Sequence, residues 1–230
     1  MNKPFLYSLI ALFLSVNLWA QTEINQLDAQ GKRHGIWKKL YQNGNLRYIG
    51  QFEHGKEVGT FKFYPITGEK HPMVIKKFNK TTDLATVEYY STKGVLESTG
   101  QMSGKKRIGQ WTYFFADGKT VMSIENYKDG LLDGELKIFY KSGKLTELSH
   151  YKNGKKHGNS LRYSDEGVLM ENLTYKDGVI HGPAVIYDEK GEVFARGSYE
   201  NGIKAGIWEF NMDGEMVKFD PSKKAKTTDK

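Results

Sequence analysis

From Gly31 onward the apolar residues recur at every second position, and no ten-residue stretch carries a helical stripe. Between Gly109 and Gly118 the chain reads Gln-Trp-Thr-Tyr-Phe-Phe-Ala-Asp, and between Gly134 and Gly143 it reads Glu-Leu-Lys-Ile-Phe-Tyr-Lys-Ser. Aromatic and β-branched residues at period two favour a pleated strand. A second alternating segment follows each of these: Leu46, Tyr48, Gly50 and Phe52 share one parity, as do Leu169, Glu171, Leu173 and Tyr175. Asn43-Gly44, Asp117-Gly118 and Asp213-Gly214 join the two segments with hairpin-turn chemistry. Tyr-Lys-Asp-Gly and its variants, starting at Tyr127, Tyr151, Tyr175 and Tyr199, turn the chain back into the next pair. The pattern predicts an antiparallel meander of about sixteen strands.

The glycines set the period. Those ending a Gly-x-x-x-Gly step, one residue longer at Gly109, are Gly35, Gly59, Gly109, Gly134, Gly158, Gly182 and Gly206, spaced by 24, 50, 25, 24, 24 and 24 residues. The interval of 50 hides a worn unit, in which Thr81 and Ala85 replace the glycine pair and a two-residue insertion is expected to bulge as a loop. That makes eight units, a period short enough for a stacked repeat array. With the turn glycines and the unit-opening glycines, three series contain 22 of the 25 glycines; Gly50, Gly100 and Gly197 fall outside them.

Two aromatic slots recur on this grid. Five residues past the reference glycine stand Tyr64, Tyr90, Phe114, Phe139, Tyr163 and Tyr187, expected as a structural ladder between neighbouring hairpins. Two residues past it stand Trp37, Phe61, Trp111 and Trp208 in four of the units, and a single-layer sheet has no second layer to cover them. These four are expected as an exposed protein-contact face. Ser160 and Arg162 in apolar slots, and Pro183 at a strand start, mark expected weak places.

The units resemble MORN-type repeats in their bacterial variant, with a Tyr-x-x-Gly-x-x-x-Gly-x-Trp-x-x-Tyr/Phe flavour that Tyr199 to Gly214 follows closely, Phe210 filling the aromatic slot. The resemblance runs from Gly31 to Phe219. It implies an all-β fold: a single-layer, twisted antiparallel meander of about eight stacked β-hairpins. It also implies a non-enzymatic role in protein contact or envelope anchoring, and some bacterial members carry an antitoxin label. Carbohydrate or peptidoglycan binding by the flat rings is a competing expectation, and a hydrolase the least favoured one.

The ends of the chain add a location. Met1 to Ala20, with Lys3, an apolar run from Phe5 to Leu18 and a small residue at Ala20, reads as a signal peptide. Residues 21–30 form a lead-in, 31–219 the repeat domain with its worn unit at 76–100, and 220–230 a basic disordered tail. The chain is expected to be exported, periplasmic or secreted, without a transmembrane span once the first segment is removed. Its formal charge is +7, with Lys105-Lys106-Arg107 and Lys155-Lys156 in turns. A protein or cell-envelope partner is expected, peripheral contact with an anionic surface is allowed, and nucleic acid is not expected.

Candidate chemistry is sparse. There is no cysteine, and no Gly-x-Ser-x-Gly, His-Glu-x-x-His or Gly-x-x-x-x-Gly-Lys-Ser/Thr sequence occurs. Of the six histidines, His34, His54, His71, His150, His157 and His181, three (His34, His157 and His181) share the slot before the reference glycine and read as repeat positions. His150, seven residues before His157 across a turn, has no acidic pair at a ligand spacing. Asp129, Asp133, Asp177 and Asp213 sit beside glycines and read as turn residues. No catalytic residue, no cofactor and no metal is expected.

Overall fold

The structure is a computed structural model that describes residues 23–221. The expected signal peptide and residues 222–230 of the expected tail lie outside the described residues. Within them, seventeen strands form an antiparallel sheet in which each strand pairs with the next in sequence. The sheet is open, a meander rather than a barrel.

A two-residue β1 (Gln26–Leu27) leads into β2 (Arg33–Leu40), β3 (Leu46–Glu53) and β4 (Lys56–Phe63). The worn unit forms β5 (Val74–Phe78) and β6 (Leu84–Tyr90). There follow β7 (Leu96–Ser103), β8 (Lys106–Phe114), β9 (Val121–Lys128), β10 (Leu131–Phe139), β11 (Leu145–Lys152) and β12 (Lys155–Tyr163). The last five are β13 (Leu169–Lys176), β14 (Val179–Tyr187), β15 (Val193–Glu200), β16 (Ile203–Met212) and β17 (Glu215–Phe219).

The glycine grid is a map of backbone conformation. All 22 glycines of the three series have positive φ; Gly50, Gly100 and Gly197 do not. In the turn between β9 and β10, Asp129 (φ 53) and Gly130 (φ 88) both lie in the left-handed region, which gives a primed turn matching the strand twist. His54, Asn153, Asp177, Asn201 and Asp213 hold the equivalent place elsewhere. The other turns differ: Gly44 N–H donates to the Tyr41 carbonyl at 3.0 Å, and Asn43 keeps negative φ. One polar residue tolerant of left-handed geometry, followed by glycine, is what the primed turn requires.

The reference glycines mark bulges. Between β13 and β14, Tyr175 pairs with Ile180 but Leu173 pairs with Ala184, so β14 carries extra residues around Gly182. Pro183 sits in that irregularity, where its missing N–H costs no regular ladder bond. The expected weakness at Pro183 is therefore absorbed by the bulge. In the worn unit, β5 and β6 pair from Val74↔Tyr89 to Phe78↔Ala85 with no register shift. Loss of the glycine pair and loss of the bulge go together.

Successive primed turns are stitched to each other. Gly154 N–H donates to the Leu132 carbonyl at 2.7 Å, Gly178 N–H to Lys156 at 2.8 Å, and Gly202 N–H to Ile180 at 2.9 Å. Each hairpin thus contributes backbone bonds to the next, the nearest-neighbour coupling of a repeat array.

Candidate functional site

One face of the sheet carries the buried residues. Following the pairings across the strands, a row runs Lys76, Val87 and Gly100, then Trp111, Glu125, Leu136, Ser149, Ser160, Leu173, Ala184 and Gly197, and ends at Trp208 beside Phe219. Trp37 pairs with Gly50, and Phe61 with Lys76, at its other end. A second row on the same face runs Tyr48, Phe63, Val74, Tyr89, Ser98, Tyr113 and Ser123.

This geometry overturns the expected exposure of the tryptophan slot. Phe61, Trp111 and Trp208 are each 0% exposed, and only Trp37 is part-exposed. The three glycines outside the grid explain how one layer buries them. A Cβ added to Gly50 would stand 2.3 Å from the Phe61 ring, one at Gly100 2.3 Å from Trp111, and one at Gly197 2.4 Å from Trp208. The rings lie flat on bare glycine backbone, so the neighbouring strand itself supplies the cover. Each glycine precedes its ring by 11 residues, whereas Lys76, Glu125, Ser149 and Leu173 precede the smaller Val87, Leu136, Ser160 and Ala184 by the same interval. The largest rings are the ones that face bare glycine. The indole N–H of Trp111 donates to the Gln101 carbonyl at 3.0 Å, and that of Trp208 to Ser198 at 3.1 Å. Trp37 donates to Gln26 at 3.0 Å, but β1 is too short to cover its ring.

The ladder residues Tyr64, Tyr90, Phe114, Phe139, Tyr163 and Tyr187 are half-buried at or just past the ends of even-numbered strands. Tyr64 and Tyr163 accept neighbouring tyrosine hydroxyls through their carbonyls, at 2.9 Å from Tyr41 and 2.9 Å from Tyr140, and Tyr90 packs on His71. The ring-to-ring contacts of the core run through another set: Phe52 and Phe63 around Phe61, Tyr89, Tyr113 and Tyr127 around Trp111, Tyr199 and Phe210 around Trp208. The tyrosines that open the Tyr-Lys-Asp-Gly turns were the available signal, since they share the parity of Gly197 and Leu173.

Above these rings lie cations. Arg107 stands 4.7 Å from the Trp111 ring centre and 5.4 Å from Tyr127, and Lys204 stands 4.3 Å from Trp208. Arg33 covers Trp37 and Phe52, Lys76 covers Phe63, and Lys156 covers Tyr175. Cations lie close over the electron-rich ring faces, an electrostatic attraction that holds the charged groups there. Arg107 also donates to the Tyr127 hydroxyl at 3.2 Å, which donates to Glu125 at 2.6 Å. Burial, and then the hydrogen bond with Tyr127, raise the Tyr113 phenol well above its ordinary range, so it stays protonated. A groove of about 650 Å³ opens here, lined by Tyr89, Leu96, Ser98, Arg107, Tyr113 and Phe115.

Where the aromatic slots lapse, the face turns polar. Ser149 and Ser160 are both buried and hydrogen-bonded to each other at 2.7 Å, so the apolar slot at Ser160 is satisfied rather than weak. Arg162 pairs with Glu171, and Lys156 with Glu147 at 2.7 Å. Burial works against the charged form of Glu147, but Lys156 and Ser149 outweigh it and lower its carboxyl below the ordinary 4.5. A depressed folded-state value means stability present above the unfolded value and lost as pH falls through the folded one. Glu147→Gln is therefore expected to remove part of the acid sensitivity below about pH 4.5, about 0.5–1 kcal/mol, read from urea midpoints measured against pH.

The other sequence candidates fall in turns or, as Asp133, His150, His157 and His181 do, in the strands beside them. Asp117 is held near about 2 by the Thr120 hydroxyl and the Lys119 and Thr120 amides. Asp129, Asp177 and Asp213 occupy left-handed turn positions, and Asp133 accepts the Asn153 amide of the next turn at 3.1 Å. His157 stands 3.5 Å from Asp177, and His181 accepts the Asn201 amide at 3.4 Å. His150 lies 3.8 Å from Glu135, and His71 donates to the Pro72 carbonyl at 2.8 Å. One grouping goes against the expected absence of ligand sets: Asp28, His34 and His54 bring one potential ligand atom each to within 4.8 Å of the others. Among the described residues no helix is long and apolar enough to cross a membrane.

No curated protein matches the chain. Three segments, 33–54, 132–153 and 156–177, match the family model described as MORN repeat variant. They fall on β2–β3, β10–β11 and β12–β13, and each ends on a left-handed turn residue: His54, Asn153 or Asp177. Over part of its length the chain is thus similar to MORN repeats, and the strands between and beyond repeat the same hairpin.

Proposed function

We propose that the protein is a non-catalytic scaffold that binds another protein, or a component of the cell envelope, across its cation-roofed aromatic face. The observation that carries this reading is the layer of Arg33, Lys76, Arg107, Lys156 and Lys204 over a row of rings in which Trp111 and Trp208 are buried and Trp37, Phe63, Tyr127, Tyr175 and Phe210 stay half-buried. The rings supply rigid apolar area at small entropy cost, and the cation heads supply charge that an acidic partner segment complements. An MORN-type repeat fold, which presents a long face without enclosing a cavity, supports the same reading. The export expected from Met1 to Ala20 places that partner outside the cytoplasm.

The test is capture from an envelope extract with the wild-type chain and with an Arg107→Gln/Lys204→Gln variant whose folding is checked by circular dichroism. The expected result is a discrete partner held by the wild type, weakened but not abolished as salt rises, and lost from the variant. Heterogeneous binding that salt removes, equal in both chains, contradicts the proposal.

A further inference from the structure

In four repeats the residue before the reference glycine reaches the left-handed turn residue 20 positions on. His157 meets Asp177, His181 meets Asn201, and Asp133 meets Asn153. In the first repeat this contact joins two imidazoles: His34 and His54, with ring centres 5.3 Å apart. His54 takes a place held by Asp or Asn in other turns, with φ 48, so its ring is set by the turn. The lead-in then adds a carboxylate. Asp28 has a side chain only 8% exposed; its Oδ1 accepts from the Gln30 amide at 2.9 Å and the Lys32 amide at 2.8 Å. Its Oδ2 lies 2.8 Å from His54 Nδ1.

We infer that Asp28, His34 and His54 form a binding site for a first-row divalent ion of the zinc, nickel or copper type. Two imidazoles and one carboxylate are borderline ligands suited to those ions, whereas calcium and magnesium require many more oxygens. His54 Nδ1 and Asp28 Oδ2 stand 2.8 Å apart, so a separation of about half an ångström more gives the spacing of two tetrahedral ligands with bonds of about 2.0–2.2 Å, and an ion can take the place of their shared proton. The backbone amides on Asp28 Oδ1 fix the carboxylate and leave Oδ2 as its ligand. Both imidazoles are exposed, so His34 can swing to close the 4.8 Å spread while water completes the coordination. The ion would tie the lead-in to the β3–β4 turn and fasten the edge where β1 covers only two residues of β2.

The experiment is isothermal titration of the full chain with Zn²⁺, and with Co²⁺ followed by visible absorbance. His34→Gln, His54→Asn and a His157→Gln control are titrated alongside. Asn is native to the matching turn place at Asn153 and Asn201, so His54→Asn keeps the turn. The expected result is one ion per chain, weakened about tenfold or more in His34→Gln and His54→Asn and unchanged in the control. Zn²⁺ should also raise the melting temperature of the wild type but not of His54→Asn. No Zn²⁺ uptake by the wild type, or uptake that survives both substitutions, overturns the proposal.

Discussion

Trp111→Ala and Trp208→Ala are each expected to cost about 3–5 kcal/mol of folding stability, read from urea unfolding of the single variants. Both rings are 0% exposed and sit on glycine, so the strand beneath offers no side chain to fill the space they leave. Each variant also removes the indole hydrogen bond to the carbonyl of Gln101 or Ser198. Trp37→Ala is expected to cost markedly less, because its ring is covered on one side only by the short β1. A comparable loss at Trp37 would mean that ring burial is not what these slots contribute.

Gly197→Ala is the second large effect. Its Cβ would stand 2.4 Å from Trp208, against the rigid indole rather than a flexible chain end. Moving the indole breaks its stacking on Phe210 and its contact with Tyr199, for an expected loss of roughly 1–3 kcal/mol. The loss should be local, since hairpins are stabilised chiefly by their neighbours. Hydrogen exchange is expected to speed up across β14 to β17 and to leave β2 to β6 as protected as before. Uniform loss of protection along the chain would contradict nearest-neighbour stabilisation.

How these effects divide between sequence and structure can be followed residue by residue. The 24-residue grid exposes the hairpins because turn and bulge glycines answer a local demand for positive φ, and local demands are written at fixed sequence positions. The tryptophan slot misleads because its cover is not local. Trp111 is hidden by Gly100 on the adjacent strand, and a slot pattern read one strand at a time shows a large ring with nothing above it. The signal was nonetheless present: the three glycines that break the grid stand 11 residues before Phe61, Trp111 and Trp208. Ser160 misleads for the same reason, since its partner is Ser149 across the ladder. The Asp28–His34–His54 grouping joins the lead-in, one strand and the next turn, and His54 lies outside the histidine slot. Only the 20-residue reach from slot to turn brings them together.

The most direct measurement is a double-mutant cycle on Gly100 and Trp111, using Gly100→Ala, Trp111→Leu and the pair, with stabilities from urea unfolding. If bare backbone under a flat ring is what lets this thin sheet bury its aromatics, a smaller side chain should make room for the new methyl. The combined loss is then expected to fall short of the sum of the single losses by about 1 kcal/mol or more. Simple additivity would mean that Gly100 and Trp111 do not act as a unit.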